Sequence, residues 1–256
     1  MRQTPYPDIN RLLESLLSHL RRIFQENLVG LYLYGSLTAG DFEPESSDID
    51  LLAVTKSTIV PEEFDALRAM HQDFARANPE WEDRIDAVYV PVTILRTFRS
   101  EKGPFAVISP GEPLHMRDEA LRDWLQNWYV VREGGVALFG PPAKLIIPLI
   151  TQDEFVQAIR RYVAELAERV RGDQPRKSQA YIILSMCRAL HVHREGEQAS
   201  KRQAALWAQK ELPEWSRLIQ SALTWRQAWR EEQVDHAATS AETVRFVNFV
   251  RDEILT

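Results

Sequence analysis

The apolar periodicity of this chain changes once, at a Gly/Pro-rich break over residues 139–148 (FGPPAKLIIP). Before the break, short apolar runs alternate with amphipathic helical patterns. After it, every pattern has the helical period. A strand must find neighbours for its backbone N–H and C=O groups, so the short runs have to share a sheet. The helices before the break then cover that sheet, and those after it pack on one another. The expectation is an α+β chain, with a mixed sheet and helices over residues 1–148 and an all-α helical bundle over 149–256.

Ile9, Leu12, Leu13, Leu16, Leu17, Leu20, Ile23 and Phe24 keep i, i+3/i+4 spacing and predict a helix over 8–26, with Asp8 as its N-cap after Pro7. Strands are predicted at 28–34 (LVGLYLY), 48–55 (DIDLLAVT) and 84–92 (RIDAVYVPV), and a helix at 62–77. Helical patterns return around 118–134. In the second part, helices are predicted over 152–171, 177–193, 200–211, 214–232 and 239–255. The 177–193 segment is apolar nearly all round, which marks it as the central helix of a bundle.

The chemistry is concentrated in residues 31–52, LYLYGSLTAGDFEPESSDIDLL. A strand ends at Gly35-Ser36, a short polar stretch follows, and a second strand is entered through Asp48-Ile49-Asp50. Alternate side chains of a strand share a face, so Asp48 and Asp50 project together while Ile49 points to the core. Two carboxylates side by side repel one another, and a hard divalent cation such as Mg²⁺ resolves that conflict. Gly35 lets a phosphate approach the backbone, and Ser36 with the amides after it offers donors to an anion. Asp86 lies between apolar Ile85 and Ala87 in the third strand, whereas Glu82 and Asp83 read as solvated turn residues. If that strand pairs beside 48–55, Asp86 faces the same site. Three carboxylates around two metal ions suit in-line transfer at phosphorus with a pyrophosphate leaving group.

Composition excludes several other classes. The net charge of −6 comes with no basic stripe, so no nucleic-acid partner is expected. No apolar run approaches the ~18–20 residues of a membrane span, and the opening MRQTPYPDIN lacks the apolar region of a signal peptide. A single cysteine, Cys187, excludes an intrachain disulfide and a cysteine-rich zinc site, and reads as a core residue. His191 and His193 are two apart on one helix and do not share a face, so neither is read as a metal ligand. The expectation is a cytoplasmic monomer. The net acidity lies in residues 1–148, which carry 15 Lys+Arg against 22 Asp+Glu; residues 149–256 carry 16 against 15.

Gly-Ser, about a dozen residues, Asp-x-Asp and a distant strand acid together resemble the signature of the nucleotidyltransferase superfamily. The whole chain resembles the aminoglycoside adenylyltransferases of the streptomycin/spectinomycin type. LFGPPA at 138–143 is similar to that family's interdomain segment. MCRALHVHREGEQASKRQAALWAQKELP at 186–213 is similar to its helical-domain signature, with Arg188 and Lys201 thirteen residues apart and Trp207-Ala208 ahead of Leu212-Pro213. The resemblance implies transfer of AMP from ATP to a hydroxyl of a small cationic acceptor, with Mg²⁺, in a cleft between the two domains. It implies that Ser36 and Ser47 contact the nucleotide, that Asp48 and Asp50 bind magnesium, and that Arg188 and Lys201 hold the triphosphate. Asp86 takes the place of the catalytic base, where the family usually has Glu.

Two departures bear on the acceptor. Streptomycin-binding members carry a Trp after the third acid and an Asp about ten residues before the Arg. Here residues 109–117 read SPGEPLHMR, and position 178 is Ser. The expected acceptor is therefore an aminoglycoside or aminocyclitol antibiotic, with spectinomycin favoured over streptomycin. Trp207, Trp215, Trp225 and Trp229 read as bundle core, with a wall against a sugar or cyclitol as the alternative. Glu112, Asp173, Glu231 and Glu232 are candidate attractors of a cation. The rival functions are a nucleotidyltransferase acting on a protein or another metabolite, and a non-catalytic nucleotide-binding protein.

Overall fold

The computed structural model describes residues 4–172, 174–227 and 237–256. In chain order the elements are α1 (Pro7–Phe24), β1 (Leu28–Tyr34), α2 (Ser36–Ala39), β2 (Ile49–Thr55), α3 (Pro61–Ala77), β3 (Ile85–Pro91), α4 (Val92–Arg96), β4 (Lys102–Ser109), β5 (Glu112–Ala120), α5 (Leu125–Gly134), β6 (Val136–Phe139), α6 (Ala143–Ile146), α7 (Gln152–Arg169), α8 (Arg176–Glu195), α9 (Lys201–Glu211), α10 (Ser216–Gln227) and α11 (Ser240–Leu255). They form two compact units. One comprises Met1–Phe42 with Ser47–Leu149, and the other comprises Glu43–Ser46 with Ile150–Thr256.

The first unit is built on a six-stranded mixed sheet of order β5-β4-β3-β2-β1-β6. β2 and β3 are parallel, joined by a crossover through α3, and the remaining neighbours are antiparallel. Strand alternation decides which face each residue meets. Leu31, Leu33, Ile49, Leu51, Ala53, Ala87 and Tyr89 bury against Ile9, Leu13, Leu16 and Leu20 of α1 and Leu67 and Phe74 of α3. The opposite set, which includes Tyr34, Asp50 and Asp86, lies on the other face of the sheet.

Three strands predicted from the sequence are present within a residue of their expected ends. β4, β5 and β6 are additional, and residues 118–120, expected to be helical, instead close β5. That strand is at the sheet edge and reads EPLHMRDEA, with one buried side chain, Leu114. Its charged, half-wetted pattern carries no period-2 apolar signal to detect.

The second unit is a helical bundle. α8 touches α7, α9, α10 and α11, and Ile183, Leu184, Met186, Cys187 and Leu190 are buried around it. Its one buried amide, Gln179, accepts from the hydroxyls of Thr239 at 2.8 Å and Thr243 at 3.0 Å and donates to the Gln174 carbonyl at 2.7 Å. A buried amide satisfied in this way fixes the register of α8 against α11. His191 rests its edge on Trp207 and bonds the Glu197 carbonyl at 3.0 Å, a packing role. Trp215 packs on Phe246 and Phe249, and the Arg176 guanidinium lies over Trp225. Trp229, Asp173, Glu231 and Glu232 lie outside the described residues. No helix among the described residues is long and apolar enough to cross a membrane.

Candidate functional site

β1 ends at Tyr34, and the chain turns through Gly35 at φ +72°, ψ −144° before entering α2. A Cβ at Gly35 would lie 2.0 Å from the Asp50 carboxylate. Both the left-handed backbone and the close approach require glycine here. The Gly35 carbonyl accepts from the Thr38 hydroxyl at 3.1 Å, which ties α2 back to the turn and places Ser36 as its first residue.

Parallel pairing of β2 with β3 puts Asp50 in direct register with Asp86, and antiparallel pairing with β1 puts Tyr34 across from Asp50 on the other side. Asp48 precedes the strand by one residue and shares the parity of Asp50. One corner of one sheet face thus gathers the acids that the sequence separates by nearly forty positions.

The approach to Asp48 is fixed by Arg84. Its Nε donates to the Ser47 carbonyl at 3.0 Å, its guanidinium lies 4.1 Å over the Trp81 ring, and its own carbonyl accepts from Ile49 N at 2.8 Å. Ser47 is itself buried. Burial lowers the Arg84 guanidinium, and the charges of Asp48 and Glu80 oppose that shift.

Burial pushes the Asp86 carboxyl above the usual carboxylate range. A hydrogen bond from the Ser109 hydroxyl, 3.0 Å to Oδ1, pulls it back, and the charges of Asp48 and Glu112 add to the rise. Tyr34, at the centre of this corner, is held well above a normal phenol, first by burial and then by the Asp50 and Asp86 charges. The Asn127 side chain on α5 bonds it and acts in the opposite sense. Tyr34 therefore stays a neutral phenol beside the carboxylates. Glu112 is ion-paired with Arg117 at 3.2 Å.

Among the described residues, no three His, Cys, Asp or Glu side chains are gathered as a closed metal-binding group. Mg²⁺ does not need one, because it takes one or two carboxylates and completes its shell with phosphate and water oxygens. The hard oxygens of Asp48 and Asp50 at an open strand end fit that demand.

In the helical unit, Arg188 and Lys201 converge on two tyrosines. Lys201 Nζ lies 4.1 Å from the centroid of the Tyr181 ring. The Tyr181 hydroxyl is 3.5 Å from that of Tyr162. Burial, then the Tyr181 hydroxyl, raises the Tyr162 phenol, and the positive charge of Arg188 opposes the rise. Lys201 opens α9 behind a capping box in which Ser200 Oγ accepts from Gln203 N and Gln203 Oε1 accepts from Ser200 N, each at 3.1 Å.

Gly35, Asp48, Asp50 and Asp86 thus fall at one sheet corner, with Ser36 and Ser47 next to them in the chain, and the two cations of the second unit share one patch of tyrosines. Sequence reasoning missed Tyr34, Arg84, Ser109 and Asn127. Alternation along β1 could have found Tyr34. Ser109 and Asn127 depend on a hairpin and a helix packing that the sequence does not announce.

Residues 13–110 match the model of the nucleotidyltransferase domain, and residues 145–253 match that of the aminoglycoside adenylyltransferase C-terminal domain. An aminoglycoside (3'') (9) adenylyltransferase of Escherichia coli is 24% identical over 99% of this chain and 98% of its own length. A spectinomycin 9-adenylyltransferase of Campylobacter jejuni is 26% identical over 78% of each chain. Among solved structures, the spectinomycin adenyltransferase AAD(9) from Enterococcus faecialis, crystallised with ATP and spectinomycin, superposes with a TM-score of 0.76 over 96% of this chain and 99% of that one. At 15% identity, that likeness is one of fold.

Proposed function

The chain belongs to the aminoglycoside adenylyltransferases, with the nucleotidyltransferase domain first and the family's C-terminal domain after it, and on that premise we propose that it moves AMP from Mg-ATP to a hydroxyl of a small cationic aminocyclitol, spectinomycin in preference to streptomycin. The observation that carries this reading is the direct register of Asp50 with Asp86 beside the Gly35 turn. Asp48 and Asp50 would hold Mg²⁺, which neutralises phosphate charge when bound.

Asp86 takes the proton of the acceptor hydroxyl. The freed oxygen forms a bond to the α-phosphorus, the bond from that phosphorus to the β-bridging oxygen breaks, and pyrophosphate leaves with the electron pair. Ser36 and Ser47 contact the nucleotide, and Gly35, having no Cβ, leaves the Asp50 carboxylate its place beside the turn. Arg188 and Lys201 bind the triphosphate as charge-assisted donors. The surplus of acids in residues 1–148 favours a cation as acceptor. The absence of a Trp over 109–117 and the Ser at 178 remove the features linked to streptomycin.

The test is pyrophosphate release from Mg-ATP with spectinomycin, streptomycin and other aminoglycosides, each with an Asp86→Asn control. Release with spectinomycin that is lost in the control supports the reading. Release with streptomycin alone overturns the acceptor preference. Silence across the panel, with Mg-ATP still bound, moves the acceptor to a protein or another metabolite.

A further inference from the structure

The geometry points to Ser109 as a positioning residue for the base: its hydroxyl holds Oδ1 of Asp86, so that Oδ2 alone is presented to the acceptor hydroxyl. This rests on the reading of Asp86 as the proton acceptor. An Asp carboxyl has one methylene fewer than Glu and correspondingly less reach. It also turns about a single bond beyond Cβ, so either oxygen could face the reaction centre. Proton abstraction needs a defined oxygen within about 2.6–3.2 Å of the proton donor, and a carboxylate swinging between orientations spends part of its time away from that geometry.

Ser109 removes this freedom. It is the last residue of β4, and its Oγ donates to Asp86 Oδ1 at 3.0 Å. The strand is irregular at this point. The pairing of β4 with β5 slips between Val107 and Ser109, a bulge of the kind that re-aims a side chain. The hairpin that follows is pinned to the approach to β3, because Gly111, at φ +83°, donates its N–H to Asp83 Oδ1 at 2.5 Å. Asp83 thus anchors the tip over the start of the strand that carries Asp86. The hydroxyl is delivered by a strand end held at two points, not by a loose loop.

The experiment measures pyrophosphate release from Mg-ATP and spectinomycin for the unsubstituted enzyme and for Ser109→Ala, Ser109→Thr and Asp86→Asn. Ser109→Ala is expected to lower kcat roughly ten- to 150-fold, the range for losing one hydrogen bond to a charged group, with KM for ATP within about twofold. Ser109→Thr keeps the hydroxyl and is expected to restore kcat to within about threefold. Thermal melting confirms that each variant folds, and Ser109→Cys, similar in size with a far weaker donor, replaces alanine should that variant unfold. A kcat unchanged in Ser109→Ala, a threonine variant as slow as alanine, or a loss confined to KM for ATP overturns the assignment of Ser109 and leaves Asp86 as base. Full turnover in Asp86→Asn, or no release by the unsubstituted enzyme, overturns the reading beneath it and this inference with it.

Discussion

At the scale of single residues, the corner where β1, β2 and β3 meet makes different demands on neighbouring positions. On the proposed reading, Asp86 is needed for its charge. Replacing it with Asn keeps the shape and the Ser109 contact but removes the basic oxygen. The expected result is a loss of 10²–10⁴ in kcat with Mg-ATP affinity retained, since Asp48 and Asp50 remain. Calorimetric titration of Mg-ATP beside steady-state kinetics checks both halves, and loss of ATP binding in this variant would show Asp86 to be a metal ligand first. Gly35 is needed for what it lacks. Ala at that position would combine a φ of +72° with a Cβ 2.0 Å from the Asp50 carboxylate. Asp50 has to move, so Gly35→Ala is expected to weaken Mg-dependent nucleotide binding at least tenfold and to cost on the order of 1–3 kcal/mol of stability. Both positions were legible in the sequence, because a lone acid in an apolar strand and a glycine at a strand end are each costly without a purpose. Ser109 was not, because a serine after an apolar run has many ordinary uses, and only the register of β3 with β4 brings it to Asp86.

At the scale of elements, α3 and β3 are joined by a buried pair. His71 Nε2 lies 2.7 Å from the Tyr89 hydroxyl, and its ring meets Tyr89 edge-on. Burial lowers the His71 pKa to about 4 from 6.5. A folded-state value below the unfolded one means that the unfolded chain binds the extra proton between pH 6.5 and 4. The stability contributed by neutral His71 is therefore complete above about pH 6.5 and is lost as pH falls toward 4, by on the order of 3 kcal/mol in all. Urea midpoints measured from pH 7.5 down to 4.5 should fall, and His71→Gln, which keeps polar contact without the titration, should flatten that fall. An equal slope in the variant would place the acid sensitivity elsewhere. α3 and β3 were themselves readable, since one has a clean helical period and the other an apolar run bounded by charges. β5 was not, because an edge strand that wets one face need not repeat apolar residues, and without that signal the helical pattern around 118–134 extends over residues 118–120. Among the described residues, the outer helices of the second unit were readable because a bundle buries each along a stripe, which writes the 3.6-residue period into the sequence, and α8 because it is apolar nearly all round.

At the scale of the whole molecule, the uneven charge is the property that no single residue explains. Residues 1–148 carry seven more acidic than basic side chains, and residues 149–256 are nearly balanced. Around the carboxylates this excess produces a negative potential that repels ATP and attracts a polycation. On the proposed reading Mg²⁺ and the cations Arg188 and Lys201 would offset that repulsion of the nucleotide, whereas a cationic acceptor would be drawn in by the field itself. The two substrates should therefore respond differently to salt. With Mg-ATP saturating, raising NaCl from about 50 to 500 mM shortens the screening length from roughly 14 to 4 Å and should raise KM for spectinomycin roughly three- to tenfold, with kcat within about twofold. A kcat that fell with KM unchanged would locate the salt effect in the transfer step. A KM flat across that range would mean that short-range contacts alone recognise the acceptor, and that the acidity of the first 148 residues has no part in its selection.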